Sequence, residues 1–115
     1  MGQVADGYKQ FVEMANSNAE AKGLMTGWDR IIQFLIQGDD NFYIETKGGT
    51  ASFNPGEHPS PSVKLKGSAD VFQKMLKREL DQTKAYFAKQ YAIEGSMGDA
   101  MKFGRIGTAV AKTQK

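Results

Sequence analysis

The 115-residue chain contains no cysteine, a single histidine and a single tryptophan. Without cysteine there is no disulfide framework, no thiolate nucleophile and no Cys-ligated zinc. His58 leaves one candidate imidazole base, set between Glu57 and Pro59 in a loop, with no nucleophile and orienting group spaced to complete a triad. The paired carboxylates Asp39-Asp40 precede Asn41, where turn propensity accounts for them, and a calcium site needs more oxygen ligands at regular offsets. Long apolar stretches are also missing: no run, Phe34-Leu35-Ile36 included, approaches the ~20 residues of a membrane-spanning helix. The three prolines are confined to one segment, 54–61, which reads as a surface loop. The expectation is a protein without catalysis, cofactor or metal.

What is present is ordinary globular composition, 40% hydrophobic and 24% charged, enough for one domain over residues 1–115. The charge is uneven. Residues 1–60 carry four Lys/Arg and eight Asp/Glu, a net of −4, and residues 61–115 carry eleven and five, a net of +6. A basic half attracts anionic partners such as phosphates, lipid headgroups or nucleic acid. The N-terminus has Asp6 and no apolar stretch, so it does not read as a signal peptide. The C-terminal Thr113-Gln114-Lys115 is no peroxisomal tripeptide, and a cytoplasmic location is expected.

Val4, Tyr8, Phe11, Val12 and Ala15 fall on one helical face, and Asn18 is placed to cap a short second helix. Trp28, Ile32, Phe34 and Ile36 then share one face at period two, a long strand whose other face is partly loaded by Ile31 and Leu35. Phe42–Lys47 alternates likewise, Gly48-Gly49 makes a hairpin turn, and Thr50–Phe53 and Val63–Lys66 read as further strands. Phe72, Met75, Leu76 and Leu80 line a helix started by Ser68 or Asp70. Asp81 starts a short helix carrying Ala85, Tyr86 and Phe87, and Tyr91 and Ile93 mark a fifth strand. Ser96 and Asp99 fit a capping box ahead of a helix with Met97, Ala100 and Met101 on one side, and 105–115 reads as a basic tail. Four consecutive strands on short links predict an antiparallel meander. With helices at both chain ends, the fold class is α+β, a five-stranded, mainly antiparallel sheet covered on one face by helices.

Gly95-Ser96-Met97-Gly98 before a helix can offer backbone N–H groups to a phosphate. Its two central residues are not basic and the segment before it reads as strand, so nucleic acid is not the expected partner. The apolar faces of the C-terminal half use Met75, Met97 and Met101 beside Phe72, Phe87 and Phe103, adaptable side chains suited to a core or a cavity.

Gly95-Ser-Met-Gly-Asp-Ala-Met-Lys-Phe103 resembles the Gly-Asn-Met-Gly-Leu-Ala-Met-Lys-Leu signature of the sterol carrier protein type-two (SCP2) family. Gly67–Phe72, Leu80-Asp81 with Ala85-Tyr86-Phe87, and Ile93-Glu94-Gly95 are similar to family segments in order and spacing, and the resemblance extends over about residues 8–104. It departs at Arg78 and Lys89, where the family pattern has glycine, and at Gln82, where it has proline.

The resemblance implies non-catalytic binding or transfer of a fatty acid, fatty acyl-CoA, phospholipid or sterol in an apolar tunnel between sheet and helices. The lining it implies is Phe34, Phe42, Ile44, Leu65, Phe72, Met75, Leu76, Phe87, Met97 and Met101, with Lys84, Lys89 and Lys102 as headgroup cations. Transient membrane contact and a monomer or weak homodimer go with this reading. A protein-interaction or dimerisation module serving a partner enzyme is the alternative.

Overall fold

The computed structural model describes residues 2–112. Two helices, α1 (Gln3–Asn16) and α2 (Ala19–Met25), precede the strands β1 (Arg30–Gln37), β2 (Phe42–Lys47), β3 (Thr50–Pro55) and β4 (Val63–Ser68). The chain continues through α3 (Ala69–Leu76), α4 (Gln82–Phe87), β5 (Ala92–Gly95) and α5 (Met97–Lys112).

The helices start where short polar side chains can accept orphan backbone N–H groups. The Asn18 side chain takes the N–H of Ala21, Ser68 that of Val71 and Asp81 that of Lys84. Helix α1 has no such residue of its own, since its N-cap is Gly2. Its cap comes from across the fold: Asp39, in the β1–β2 turn, accepts the Val4 N–H at 2.9 Å. Ser96 caps α5 by accepting the Asp99 N–H at 3.1 Å. The expected capping box is half formed, because the Asp99 carboxylate turns away to Arg30 while the Ser96 N–H bonds the Ser62 carbonyl.

The strand order is β3-β2-β1-β4-β5, which corrects the expected meander. Pairs β1–β2, β2–β3 and β4–β5 are antiparallel, but β4 runs parallel to β1, with Phe34 opposite Leu65. The proline-bearing loop after β3 crosses back over the sheet instead of turning tightly, as a parallel partner requires. Gln33 holds the crossing on the far face: its amide N–H groups donate to the Phe42 and Gly56 carbonyls, and its oxygen accepts the His58 N–H at 2.7 Å. Gly95 fixes the other edge. It sits at φ 103°, and a Cβ there would lie 2.8 Å from the Ser62 carbonyl oxygen.

The opposite face carries the helices and a core of stacked aromatics. Phe34 and Phe42 pack at 4.6 Å between centroids, and Tyr8, Phe72 and Phe103 close around Phe34 at 4.7–5.8 Å. The basic tail expected from residue 105 is helical as far as Lys112, with Ile106, Ala109 and Val110 buried. Residues 113–115 lie outside the described residues.

Candidate ligand-binding cleft

A cleft of about 250 Å³ opens on the helical side of the molecule. One wall is α1, through Tyr8, Phe11 and Met14, and the facing wall is α5, through Phe103, Gly107 and Val110. Met75 and Leu76 at the end of α3, with Arg78 and Leu80 in the turn that follows, close the third side. Small residues make this arrangement possible. A Cβ on Gly7 would meet Leu76 Cδ1 at 2.6 Å, so the missing side chain is what lets Leu76 of α3 pack directly on the α1 backbone in this position.

No strand residue lines the cleft, so it lies between helices and not between sheet and helices as expected. The residues expected to line it separate into three groups. Met75 and Leu76 reach it. Phe34, Phe42, Ile44, Leu65 and Phe72 are sealed in the core beneath, each 2% exposed or less. Phe87 and Met97 face outward at 76% and 39% exposure, and Met101 is half-buried on the first turns of α5, outside the lining.

The three lysines expected to hold a headgroup do not reach the cleft either. Lys84 and Lys89 are exposed around α4. Lys102 lies over the Trp28 ring at 5.2 Å, where the Trp28 indole N–H and the Arg30 guanidinium both donate to Asp99. The cations that do line the cleft are Lys77 and Arg78, with the amides of Gln10, Gln73 and Gln82. The sequence signal for Arg78 was a cation standing where the family pattern has glycine. Its backbone keeps the glycine-like conformation, φ 61°.

The polar groups of the cleft are unevenly satisfied. The Gln73 amide oxygen is buried without a hydrogen-bond partner among the described residues. Gln82 donates to the Ala100 carbonyl at 3.1 Å, tying α4 to α5. Burial pushes the Tyr8 phenol well above its ordinary range, an effect reinforced by Tyr91 and opposed by the positive charge of Arg78. At neutral pH the cleft therefore offers apolar surface, a neutral phenol, amides and two cations. Among the described residues no group of three or more His, Cys, Asp or Glu is gathered to hold a metal. Among the described residues no helix is long and apolar enough to cross a membrane.

Known proteins share this architecture. The sterol carrier protein domain 2 of Helicoverpa armigera superposes with a TM-score of 0.73 at 21% identity, covering 94% of this chain and 88% of that one. A UbiJ-SCP2 ubiquinone synthesis protein also gives 0.73, at 10% identity, over 93% and 95% of the two chains. The sec-alkylsulfatase Pisa1 from Pseudomonas sp. gives 0.63 at 16% identity over 76% of this chain, which spans 14% of that enzyme's length. At these identities the likeness is one of fold. No curated protein sequence matches the chain. The model of the SCP-2 sterol transfer family matches residues 9–107, nearly the whole of the folded region. The chain belongs to the SCP-2 sterol transfer family.

Proposed function

We propose that the domain binds and carries a lipid without chemical change, and that the chain of the lipid lies in the cleft walled by α1, α3 and α5. The observation that carries this reading is the cleft itself, an opening flanked by Phe11, Leu76, Leu80 and Val110 directly above a sealed aromatic core. Its volume of about 250 Å³ is at the small end for ligand sites. That favours one acyl chain over a rigid sterol skeleton, so fatty acid or fatty acyl-CoA is the preferred ligand class. Each buried methylene contributes ~0.8 kcal/mol before the costs of association.

The test is a titration of delipidated protein with a fluorescent fatty acid, followed by competition with palmitoyl-CoA and with cholesterol. Saturable binding displaced by the acyl compound and not by cholesterol is expected. Absence of saturable binding overturns the reading.

A second reading, a docking module for a partner protein, is favoured by Phe87 alone, an aromatic side chain 76% exposed at the tip of α4. It predicts that Phe87→Ser leaves lipid binding intact and abolishes association with the partner.

A further inference from the structure

We propose that Arg78 anchors the ligand's head, and that the head it selects is a carboxylate on a single long chain. This rests on the reading of the cleft as a lipid site and adds to it the sign of charge and the residue that reads it.

Arg78 and Lys89 are the two non-glycine residues with positive φ among those described, at 61° and 60°. That conformation brings a side chain's Cβ against its own backbone, and glycine adopts it freely. Lys89 lies outside the cleft, whereas Arg78 lines it, so position and not strain singles Arg78 out. Its guanidinium pairs with no carboxylate among the described residues, although Glu79 and Asp81 are close in sequence. Its hydrogen bond to the Thr108 hydroxyl is long, 3.5 Å. A planar fork of donors at the rim of an apolar cleft is therefore uncommitted, and a planar carboxylate matches that fork with two parallel bonds.

Two neighbours fit the same ligand. Lys77 adds a second positive charge to the lining. Gln73, also in the lining, has a buried amide oxygen with no partner, and a half-turn of that amide presents its NH₂ as a donor instead.

Calorimetric titration of the full chain with dodecanoate and with 1-dodecanol, at neutral pH, tests the assignment. The wild type is expected to prefer the acid by about 10-fold or more, the range of a charge-assisted hydrogen bond. Arg78→Gly suits the backbone, so it folds. It is expected to keep its affinity for the alcohol and lose the preference for the acid. Arg78→Lys, which keeps the charge and loses the fork, falls between. An Arg78→Gly protein that still prefers dodecanoate overturns the proposal, as does a wild type that binds both compounds equally, and in both cases the cleft remains a lipid site. A wild type that binds neither compound removes the lipid site and the anchor together.

Discussion

Helix α5 serves two different ends along its 16 residues. Its first turns are held to the sheet by polar contacts. Asp99 accepts from the Trp28 indole at 3.3 Å and from Arg30 Nε at 3.1 Å, and Lys102 covers the same indole. Its later turns carry Phe103, Gly107 and Val110 and wall the cleft. The first half is fixed by directional bonds, and the second gives up side-chain volume at Gly107 to leave open space. A helix built this way keeps its orientation through one end and exposes apolar surface through the other. Stability and ligand affinity should therefore respond to different halves.

The largest effect should come from filling the open half. A Cβ on Gly107 would sit 3.8 Å from Arg78 Nη1 and 3.9 Å from Phe11 Cε1, ordinary contact distances, so a larger side chain extends into the cleft. Gly107→Phe is expected to lower dodecanoate affinity by about 100-fold, a loss equivalent to ~2.7 kcal/mol, while circular dichroism shows a folded protein. Gly107→Ala, which relieves a helix-interior glycine without reaching far, should gain ~0.5–1 kcal/mol of stability and bind normally. Loss of binding with the alanine variant would mean that the ligand packs directly on the α5 backbone.

Breaking the latched half should do the reverse. Asp99→Ala leaves the Trp28 N–H and Arg30 Nε without their acceptor, while Arg30 Nη1 keeps the Asp29 carbonyl. Bonds to a charged group are worth ~1.5–3 kcal/mol, but Arg30 is 40% exposed, so the expected cost is nearer ~1–2 kcal/mol. Thermal unfolding should shift down by about 4–8 °C, with affinity at 20 °C within about twofold of wild type. A large fall in affinity at unchanged Tm would show that the latch shapes the cleft.

The sequence made the element order readable because four of the five helices start at a short polar side chain, Asn18, Ser68, Asp81 and Ser96, and buried apolar residues recur at period two in β1, β2 and β4. Alternation does not name a strand's partner, so the parallel pairing of β4 with β1 was hidden. The buried Gln33 that holds the crossing loop looked like any polar residue of a strand. The C-terminal helix was masked by Gly104 and Gly107, although Ile106, Ala109 and Val110 stand at i, i+3 and i+4 and are all buried. The cleft was the least legible feature. Phe34 and Phe11 are both apolar residues at regular spacing, and only their surroundings decide that one is sealed and the other lines an opening.

The α1 wall offers a smaller test that bears on the cleft half alone. Burial tends to raise the Asp39 carboxyl, but the N–H groups of Val4, Asp40 and Gly2 outweigh it and hold the group below its ordinary value. A depressed value means that the charged form stabilises the fold. That contribution is complete above the ordinary carboxylate range and is lost as pH falls through it toward the lower folded value. Asp39→Ala should cost ~1 kcal/mol, as loss of a helix cap does, and should flatten the decline of Tm on acidification below about pH 4. A decline as steep as that of wild type would assign the acid sensitivity to other carboxylates.

The smallest effect is the most discriminating. Met101 is half-buried in the latched half, one residue before Lys102 and two before Phe103, which lines the cleft. Were the ligand housed between sheet and helices, as the family resemblance implies, a tryptophan at 101 would obstruct it. With the cleft bounded by α1, α3 and the later turns of α5, Met101→Trp is expected to leave dodecanoate affinity within about twofold, and stability within the ~0.5 kcal/mol usual for partly exposed positions. A tenfold fall in affinity would mean that the sheet side opens to admit ligand. The two halves of α5 would then share one cavity, contrary to the division drawn from the geometry.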